Sequence, residues 1–326
     1  MKPLTFAVLR LLADGEFHSG EKLARELDIS RASVWNALQE ANQLGVALYK
    51  IRGRGYRLVQ PPQWLDREKI VAALGTQANR FSIEIVDQID STNTRLLQKA
   101  AEGAPKGRVV AAEWQARGRG RRGRSWHMNL GGGLTFSVLW RFEQGAGFLS
   151  GLSLAVGVAL ARALKTMGAE EIALKWPNDV LHHHRKLAGI LIEVQGDVLG
   201  PSLAVIGIGI NLRLSETVRS SIDQAVTDMY SATRIVPDRN RVLGSVLSHL
   251  AQVLDFFEAR GFAGVREEWS SLHAYHRKHV LVILPNGGVE EGIVIGVDDN
   301  GSLLLLADGG EHRYTSGEIS LRGQAV

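Results

Sequence analysis

The stretch Gly118-Arg119-Gly120-Arg121-Arg122-Gly123-Arg124-Ser125-Trp126 decides the reading of this chain. Four arginines and three glycines alternate in it, Arg117 adds a fifth charge, and an indole closes it. Glycines let a backbone fold tightly round a ligand and present its N–H groups. Guanidinium forks match phosphates and carboxylates two contacts at a time, and an indole can stack on a purine. Together these residue types describe a loop that wraps a nucleotide and an acid. Taken alone, the motif is equally compatible with a solvated basic loop or an RNA-binding arginine tract.

The surroundings narrow the choice. The chain has 326 residues, room for two or three domains at about 100–200 residues each. Its 45% hydrophobic and 22% charged residues are ordinary for a soluble globular protein. It has no cysteine, which excludes disulfides, thiolate nucleophiles and cysteine-ligated zinc and fits a reducing compartment. Met1-Lys2-Pro3-Leu4 leads into an amphipathic segment broken by Arg10 and Asp14, unlike a signal peptide. No run approaches the ~18 apolar residues of a membrane span, so a cytoplasmic location without membrane contact is expected. The formal charge is only +4, so any basic surface must be local.

Residues 4–13 read as a first helix ended by Asp14-Gly15-Glu16. Ser19 caps a second, Gly20–Leu27, and Ser30 a third, Arg31 to about Leu44, with Val34, Leu38 and Ala41 inward. Two short helices joined by about three residues match a helix-turn-helix. Val46–Ile51, the basic tip Arg52-Gly53-Arg54-Gly55 and Tyr56–Val59 then form a hairpin wing. Residues 1–60 hold nine Lys/Arg against six Asp/Glu. Arg31, Ser33, Asn36 and Gln39 on the third helix, with Arg52 and Arg54 on the wing, are the expected DNA contacts. The competing use of such a domain is protein contact.

A linker, Gln60-Pro61-Pro62-Gln63, separates this domain (1–60) from the next (66–273). After a short helix at 66–74, strands are expected at Ser82–Asp87, Val109–Trp114, Leu134–Leu139, Ala173–Lys175, Leu187–Gln195 and Ser202–Gly209. Long helices are expected at Thr92–Glu102, Leu149–Met167 and Arg239–Arg260. The order is an α/β (α+β) domain with a largely antiparallel sheet, not a strict βαβ alternation. A third domain (277–326) is all-β, with strands Val280–Leu284, Gly288–Val297, Ser302–Ala307 and Glu311–Thr315 turning at Asn286-Gly287-Gly288 and Asp299-Asn300-Gly301. Its short strands fit a small SH3-like barrel.

Five stretches line up: Ser91-Thr92-Asn93, the loop itself with Gln115 before it, Lys175-Trp176-Pro177-Asn178-Asp179, Arg185-Lys186-Leu187-Ala188-Gly189 and Gly207-Ile208-Gly209-Ile210-Asn211. In order and identity they resemble the biotin protein ligases. The winged helix in front makes the resemblance closest to the bifunctional bacterial ligases that also repress the biotin operon.

The resemblance implies a two-step reaction. Biotin carboxylate attacks the α-phosphate of ATP, giving biotinoyl-5′-AMP and pyrophosphate. A lysine of a biotin carboxyl carrier protein then takes the biotinoyl group. Joining two anions needs cations, and the resemblance places Lys186 and Arg121 at the reacting centre. It implies biotin contacts from Ser91, Thr92, Asn93, Gln115, Gly118, Arg119, Gly120, Arg121, Lys186 and Gly189. For ATP it implies Arg121, Arg124, Trp126 (on adenine), Lys175, Asn178, Asp179 and Asn211.

Hydroxyls and amides suit a ureido ring, which shows one carbonyl and two N–H groups. Ser91 or Thr92 is also a good helix N-cap. Asp179 is a candidate ligand for Mg²⁺ arriving with ATP, or it only orients Lys175. No tightly bound prosthetic group is expected. The resemblance also implies operator DNA as a partner and a homodimer when biotinoyl-5′-AMP is bound. The rival readings are a lipoate ligase of the same fold and a DNA-binding sensor of the adenylate without ligase activity.

Two features are set aside. His182-His183-His184 is read as a solvated hairpin turn, because neighbouring strand residues point to opposite faces. Gly131-Gly132-Gly133 lacks the Gly-Lys-Ser/Thr of a phosphate loop.

Overall fold

The computed structural model describes residues 1–197, 199–284, 288–315 and 320–323. The first helices form where short-range signals put them: α1 (Pro3–Leu11), α2 (Gly20–Glu26) and α3 (Arg31–Gln43). Ser19 accepts from the Lys22 N–H and Ser30 from the Ser33 N–H, each orphan donor of a first turn finding its hydroxyl. α1 stops short of the expected position 13, because Asp14 accepts from the Glu16 N–H at 2.9 Å and Gly15 takes a φ of 78°. Val34, Ala37, Leu38 and Ala41 of α3 pack on Val8, Leu9, Leu12 and Leu23. The wing is β1 (Leu48–Ile51) paired antiparallel with β2 (Gly55–Leu58).

The central region runs α4 (Arg67–Leu74), β3 (Ser82–Ile89), α5 (Thr92–Ala101), β4 (Arg108–Gln115), β5 (Gly133–Phe142), α6 (Leu152–Thr166), β6 (Ile172–Lys175), β7 (Asp179–His182), β8 (Arg185–Gly196) and β9 (Ser202–Asn211). Short α7 (Glu216–Ser220) and α8 (Met229–Thr233) lead to α9 (Arg239–Arg260) and α10 (Arg266–Ser271). The sheet order is β3-β4-β5-β9-β8-β7-β6, antiparallel except for the β3–β4 pair.

The sequence reading missed β7, a four-residue strand that begins on an aspartate and ends on a histidine. It also began α6 too early: Gly151 sits at φ 80° just before Leu152. His183 and His184, with φ of 47° and 59°, make the exposed two-residue turn between β7 and β8 as expected, but His182 is not in that turn: it ends β7 and is buried. Among the described residues no cluster of three or more His, Cys, Asp or Glu could hold a metal.

The two faces of this sheet differ. Phe136 and Val138 of β5 and Ile206, Ile208 and Ile210 of β9 pack with α6 and α9 in the main core. On the other face α5 sets Leu96 and Ala100 on Val110, Leu139 and Val205. Strand residues alternate between faces, so Gly207 and Gly209 share this second face with Val205, beyond the part that α5 fills.

The C-terminal strands are β10 (His279–Ile283), β11 (Val289–Val297), β12 (Leu303–Ala307), β13 (Gly310–Tyr314) and β14 (Ser320–Gly323). Their order β13-β12-β11-β10-β14 is antiparallel throughout, and β14 returns to β10 as a small SH3-like barrel requires. The turn expected at Asn286-Gly287 lies outside the described residues. The one at Asp299-Asn300-Gly301 forms, with Gly301 at φ 78°. No described helix is long and apolar enough to cross a membrane.

The stretch read as a linker is anchored at its far end. Arg239 Nη1 donates to Glu113 Oε2 and to the Gln63 carbonyl, both at 2.6 Å. Glu113 Oε1 accepts from the Leu65 N–H, and the Asn240 side chain joins the Asp66 N–H to the Trp64 carbonyl. Glu113 is 0% and Arg239 1% exposed. Trp64 meets Phe6 edge-on and lies beneath Arg10, while Arg10 pairs with Asp87 and the Met1 amine with Gln88 of β3. The winged helix therefore rests on the central region through both the linker and the edge strand.

Candidate active site

The floor of the site is glycine. Gly189 of β8 and Gly209 of β9 are directly opposite each other in register. A Cβ on Gly209 would collide with the Trp126 indole, and one on Gly189 would stand 3.0 Å from it. A Cβ on Gly207 would collide with the Asn93 amide. Three positions without side chains let the arginine loop and the start of α5 lie close on the sheet. Trp126 rests half-buried on this floor, with Lys186 Nζ 5.7 Å from its ring centre.

The loop folds back on itself. The Trp126 N–H donates to the Gly118 carbonyl at 2.9 Å and the Gly120 N–H to the Arg124 carbonyl at 2.7 Å. Arg122 turns the chain at φ 56°. A Cβ on Gly118 would stand 2.9 Å from the Trp126 carbonyl oxygen, so the hairpin closes only on glycine. Arg119 then reaches Glu193 at 2.8 Å, and Arg121 Nη1 donates to Asn178 Oδ1 at 3.1 Å.

At the start of α5 the cap comes from a distant strand. Ser91 stands at the N-cap, yet its hydroxyl makes no cap bond. Gln115 Oε1 instead accepts from the Thr92 N–H at 2.8 Å and from its hydroxyl at 3.1 Å. Ser91 is thus released from the capping role weighed for it. Asn93 donates to the Leu191 carbonyl and to Glu193, and accepts from Ser137. Asn211 donates to the Lys186 and Thr227 carbonyls, which fixes the strand carrying Lys186 against residues 225–227.

One carboxylate faces many cations. Lys186 Nζ lies 2.7 Å from Asp179 Oδ1, both largely buried. Arg119, Arg121, Arg122, Arg124, Lys175 and Lys186 line the cleft, and among the described lining residues Asp179 is the only acid. Burial holds the Arg121 pKa below the usual guanidinium value. The neighbouring charge of Arg122 adds to the effect, and Asp179 opposes it. A cation disfavoured by its surroundings is stabilised when an anion arrives.

Ser91, Thr92, Asn93, Gln115, Arg119, Gly120, Arg121, Arg124, Trp126, Lys175, Asn178, Asp179, Lys186, Gly189 and Asn211 all line this one cleft. Gly118 sits behind it, against Trp126 and Gln115. Sequence reasoning missed Ile222, Gln224 and Val226, which close the cleft from the segment after α7. No local motif marks them. They are brought in by pairing across chain: the Lys186 N–H donates to the Ala225 carbonyl and the Thr227 N–H to that of Lys186, both at 2.9 Å. Trp176 donates to the Gly301 carbonyl at 3.0 Å, so the C-terminal barrel braces the Lys175–Asp179 turn.

The second candidate surface is on the winged helix. Arg31, Asn36, Arg52 and Arg54 are exposed; Ser33 and Gln39 are partly so. The Ser33 hydroxyl pairs with Ser30 at 2.9 Å. Arg54 lies 4.5 Å over the Phe17 ring.

A winged helix in front of a cation-lined acyl-adenylate type of cleft, with a small barrel behind, defines a DNA-binding ligase architecture. Residues 85–211 match the biotin/lipoate A/B protein ligase family, 5–57 an HTH domain, and 278–322 the biotin protein ligase C-terminal domain. The bifunctional ligase/repressor BirA of Salmonella typhimurium is 38% identical over 98% of this chain and 97% of its own length. The biotin–[acetyl-CoA-carboxylase] ligase of Mycobacterium tuberculosis is 33% identical over 80% of this chain and 96% of its own. The structure of the Aquifex aeolicus biotin protein ligase in complex with biotin and ATP superposes with a TM-score of 0.64 at 30% identity, covering 74% of this chain and 99% of that one. The chain belongs to the biotin protein ligase family.

Proposed function

We propose that this protein joins biotin to ATP as biotinoyl-5′-AMP, transfers the biotinoyl group to a lysine of a biotin carboxyl carrier protein, and represses the biotin operon with the adenylate as corepressor. The observation that carries the ligase reading is the six-cation cleft with one internal carboxylate. Arg119 is already held by Glu193 and Lys186 by Asp179, and a lining so rich in cations suits a triphosphate and an acid. In the first step a biotin carboxylate oxygen forms a bond to the α-phosphorus as the bond to pyrophosphate breaks. Lys186 and Arg121 hold the carboxylate and α-phosphate oxygens, offsetting charge as it develops. In the second step the lysine amine attacks the acyl carbon, AMP leaves with the bonding pair, and the ammonium proton goes to solvent.

Ser91, Gln115 and the Thr92 hydroxyl receive the ureido ring, and Trp126 and Asn178 the adenosine. Mg²⁺ arrives with the ATP phosphates. Among the described lining residues Asp179 would be the carboxylate to hold it, and the ion would offset charge on the phosphate oxygens. ATP, carrier and operator DNA meet in the cytoplasm, where we place the protein. The test is to incubate it with ATP, apo-carrier and either biotin or lipoate, then weigh the carrier. A biotinoyl mass gain is expected. A lipoyl gain, or none, overturns the reading.

Arg121 also sets how firmly the adenylate is kept. Arg121→Gly weakens retention more than synthesis, so escaped anhydride acylates bystander lysines. Serum albumin incubated with the variant, biotin and ATP becomes labelled. An unlabelled bystander with normal carrier labelling would make Arg121 a surface charge.

Repression needs two copies, because one winged helix makes few phosphate contacts and such proteins gain affinity on paired half-sites. The β6 edge of the central sheet is covered by residues 272–274, whereas the β3 edge meets the winged helix at Asp87 and Gln88; we place pairing along the rest of β3. Biotinoyl-AMP neutralises the arginine loop and tightens self-association about tenfold or more, within the usual range of allosteric coupling. Sedimentation with and without the adenylate checks this, and an unchanged dimerisation constant refutes it.

A further inference from the structure

The outer face of α3 carries a residue the sequence reading passed over. Trp35 is 48% exposed. It stands one turn after Arg31 and one turn before Gln39, so the three form a stripe along the helix. The other rings of this domain are engaged: Phe6 with Trp64, Phe17 beneath Arg54 and Arg57, Tyr49 beneath Arg57, Tyr56 near Lys50. Val34, Ala37, Leu38 and Ala41 provide the inward packing of α3. The indole therefore contributes little to the core of its own domain.

We propose that Trp35 reads a base: its indole edge packs on the C5-methyl of a thymine in the major groove. The inference rests on the repressor function proposed above. Arg31 on the same stripe and Arg52 and Arg54 at the wing tip complement phosphates on either side of a groove. The thymine methyl is the one apolar group that the four bases present there. A protein partner would need a wider apolar patch, but the exposed or partly exposed α3 residues around Trp35 are Arg31, Ala32, Asn36 and Gln39, which add a single methyl group. Burying a single indole edge against a single methyl gives discrimination without raising non-specific affinity, which comes from phosphates.

The test uses the full chain with biotin and ATP. The tightest duplex is first selected from a randomised library, and its thymines are then replaced one at a time by deoxyuridine, which lacks only the methyl. At one thymine of a half-site the replacement weakens wild-type binding about fourfold, the value of one buried methyl-sized group. Trp35→Ala shows no penalty at that thymine, and Trp35→Phe an intermediate one. The dependence of binding on salt is unchanged in both variants, because their phosphate contacts remain. An equal penalty in wild type and Trp35→Ala at every thymine overturns the proposal while leaving DNA binding intact. Failure to enrich any duplex overturns the DNA-binding reading itself, and the proposal with it.

Discussion

Lys186→Ala slows adenylate formation by about 100-fold or more, the range found when one preorganised electrostatic donor is removed. Two effects contribute. The variant loses a cation where carboxylate and α-phosphate meet, and it leaves Asp179, 2.7 Å from Nζ, without its partner. An unpaired, largely buried carboxylate would itself repel both substrates. The double variant Lys186→Ala/Asp179→Asn separates them, since it removes the repulsion and not the loss of the cation. Single-turnover pyrophosphate release is the measurement. The double variant is expected to stay slow. Recovery to near the wild-type rate would assign the defect to Asp179 alone, and a near-wild-type rate in Lys186→Ala would remove Lys186 from the reaction.

Glu113→Leu or Arg239→Met alone lowers the stability of the catalytic region by about 3–5 kcal/mol, because each leaves the opposite charge buried and unpaired. Both groups are at most 1% exposed, and the contact between them is 2.6 Å. Their attraction need not exceed the cost of taking both ions out of water, so the double variant is expected to recover most of the loss. It does not recover the linker: the Gln63 carbonyl and the Leu65 N–H both lose a partner. Urea melts report the first effect. Proteolysis at residues 60–66 reports the second, with cleavage faster in all three variants. Singles that melt like wild type would make the buried pair incidental. A double variant with a linker as resistant as wild type would show that the remaining contacts, through Trp64, Asn240 and the Arg10–Asp87 pair, suffice to hold the linker.

Both results depend on partners that sequence reading could not pair. Glu113 was one residue of an apolar strand, and Arg239 merely opened a long helix. The loop was legible because its chemistry is local, arginines and glycines in alternation offering an anion site, and because the other motifs in order ruled out a merely solvated basic loop. Trp126 at the end of the loop and the lysine of the Lys186–Gly189 stretch were legible as cleft residues through residue type and order. Residues 222–226 were not, since their place in the cleft comes from backbone pairing with Lys186. Nor was the edge strand's contact with α1, which joins Asp87 to a side chain at position 10.

The sequence by itself determined the caps at Ser19 and Ser30, the inward stripe of α3, the alternation that puts Gly207 and Gly209 on one face, and the identity of the charged loop. Each of these is settled within a turn of helix or a few strand residues, by a hydroxyl meeting a nearby N–H or by a fixed period. The tertiary structure alone decided that Gln115 caps Thr92 across 23 residues, that Gly189 lies opposite Gly209, and that Lys186 faces Asp179 across a bulged hairpin. Such pairings depend on sheet register, and a shift of one residue would send every one of these side chains to the opposite face. Register is fixed by the whole buried face packing against α6 and α9, a property that no single stretch of the chain carries.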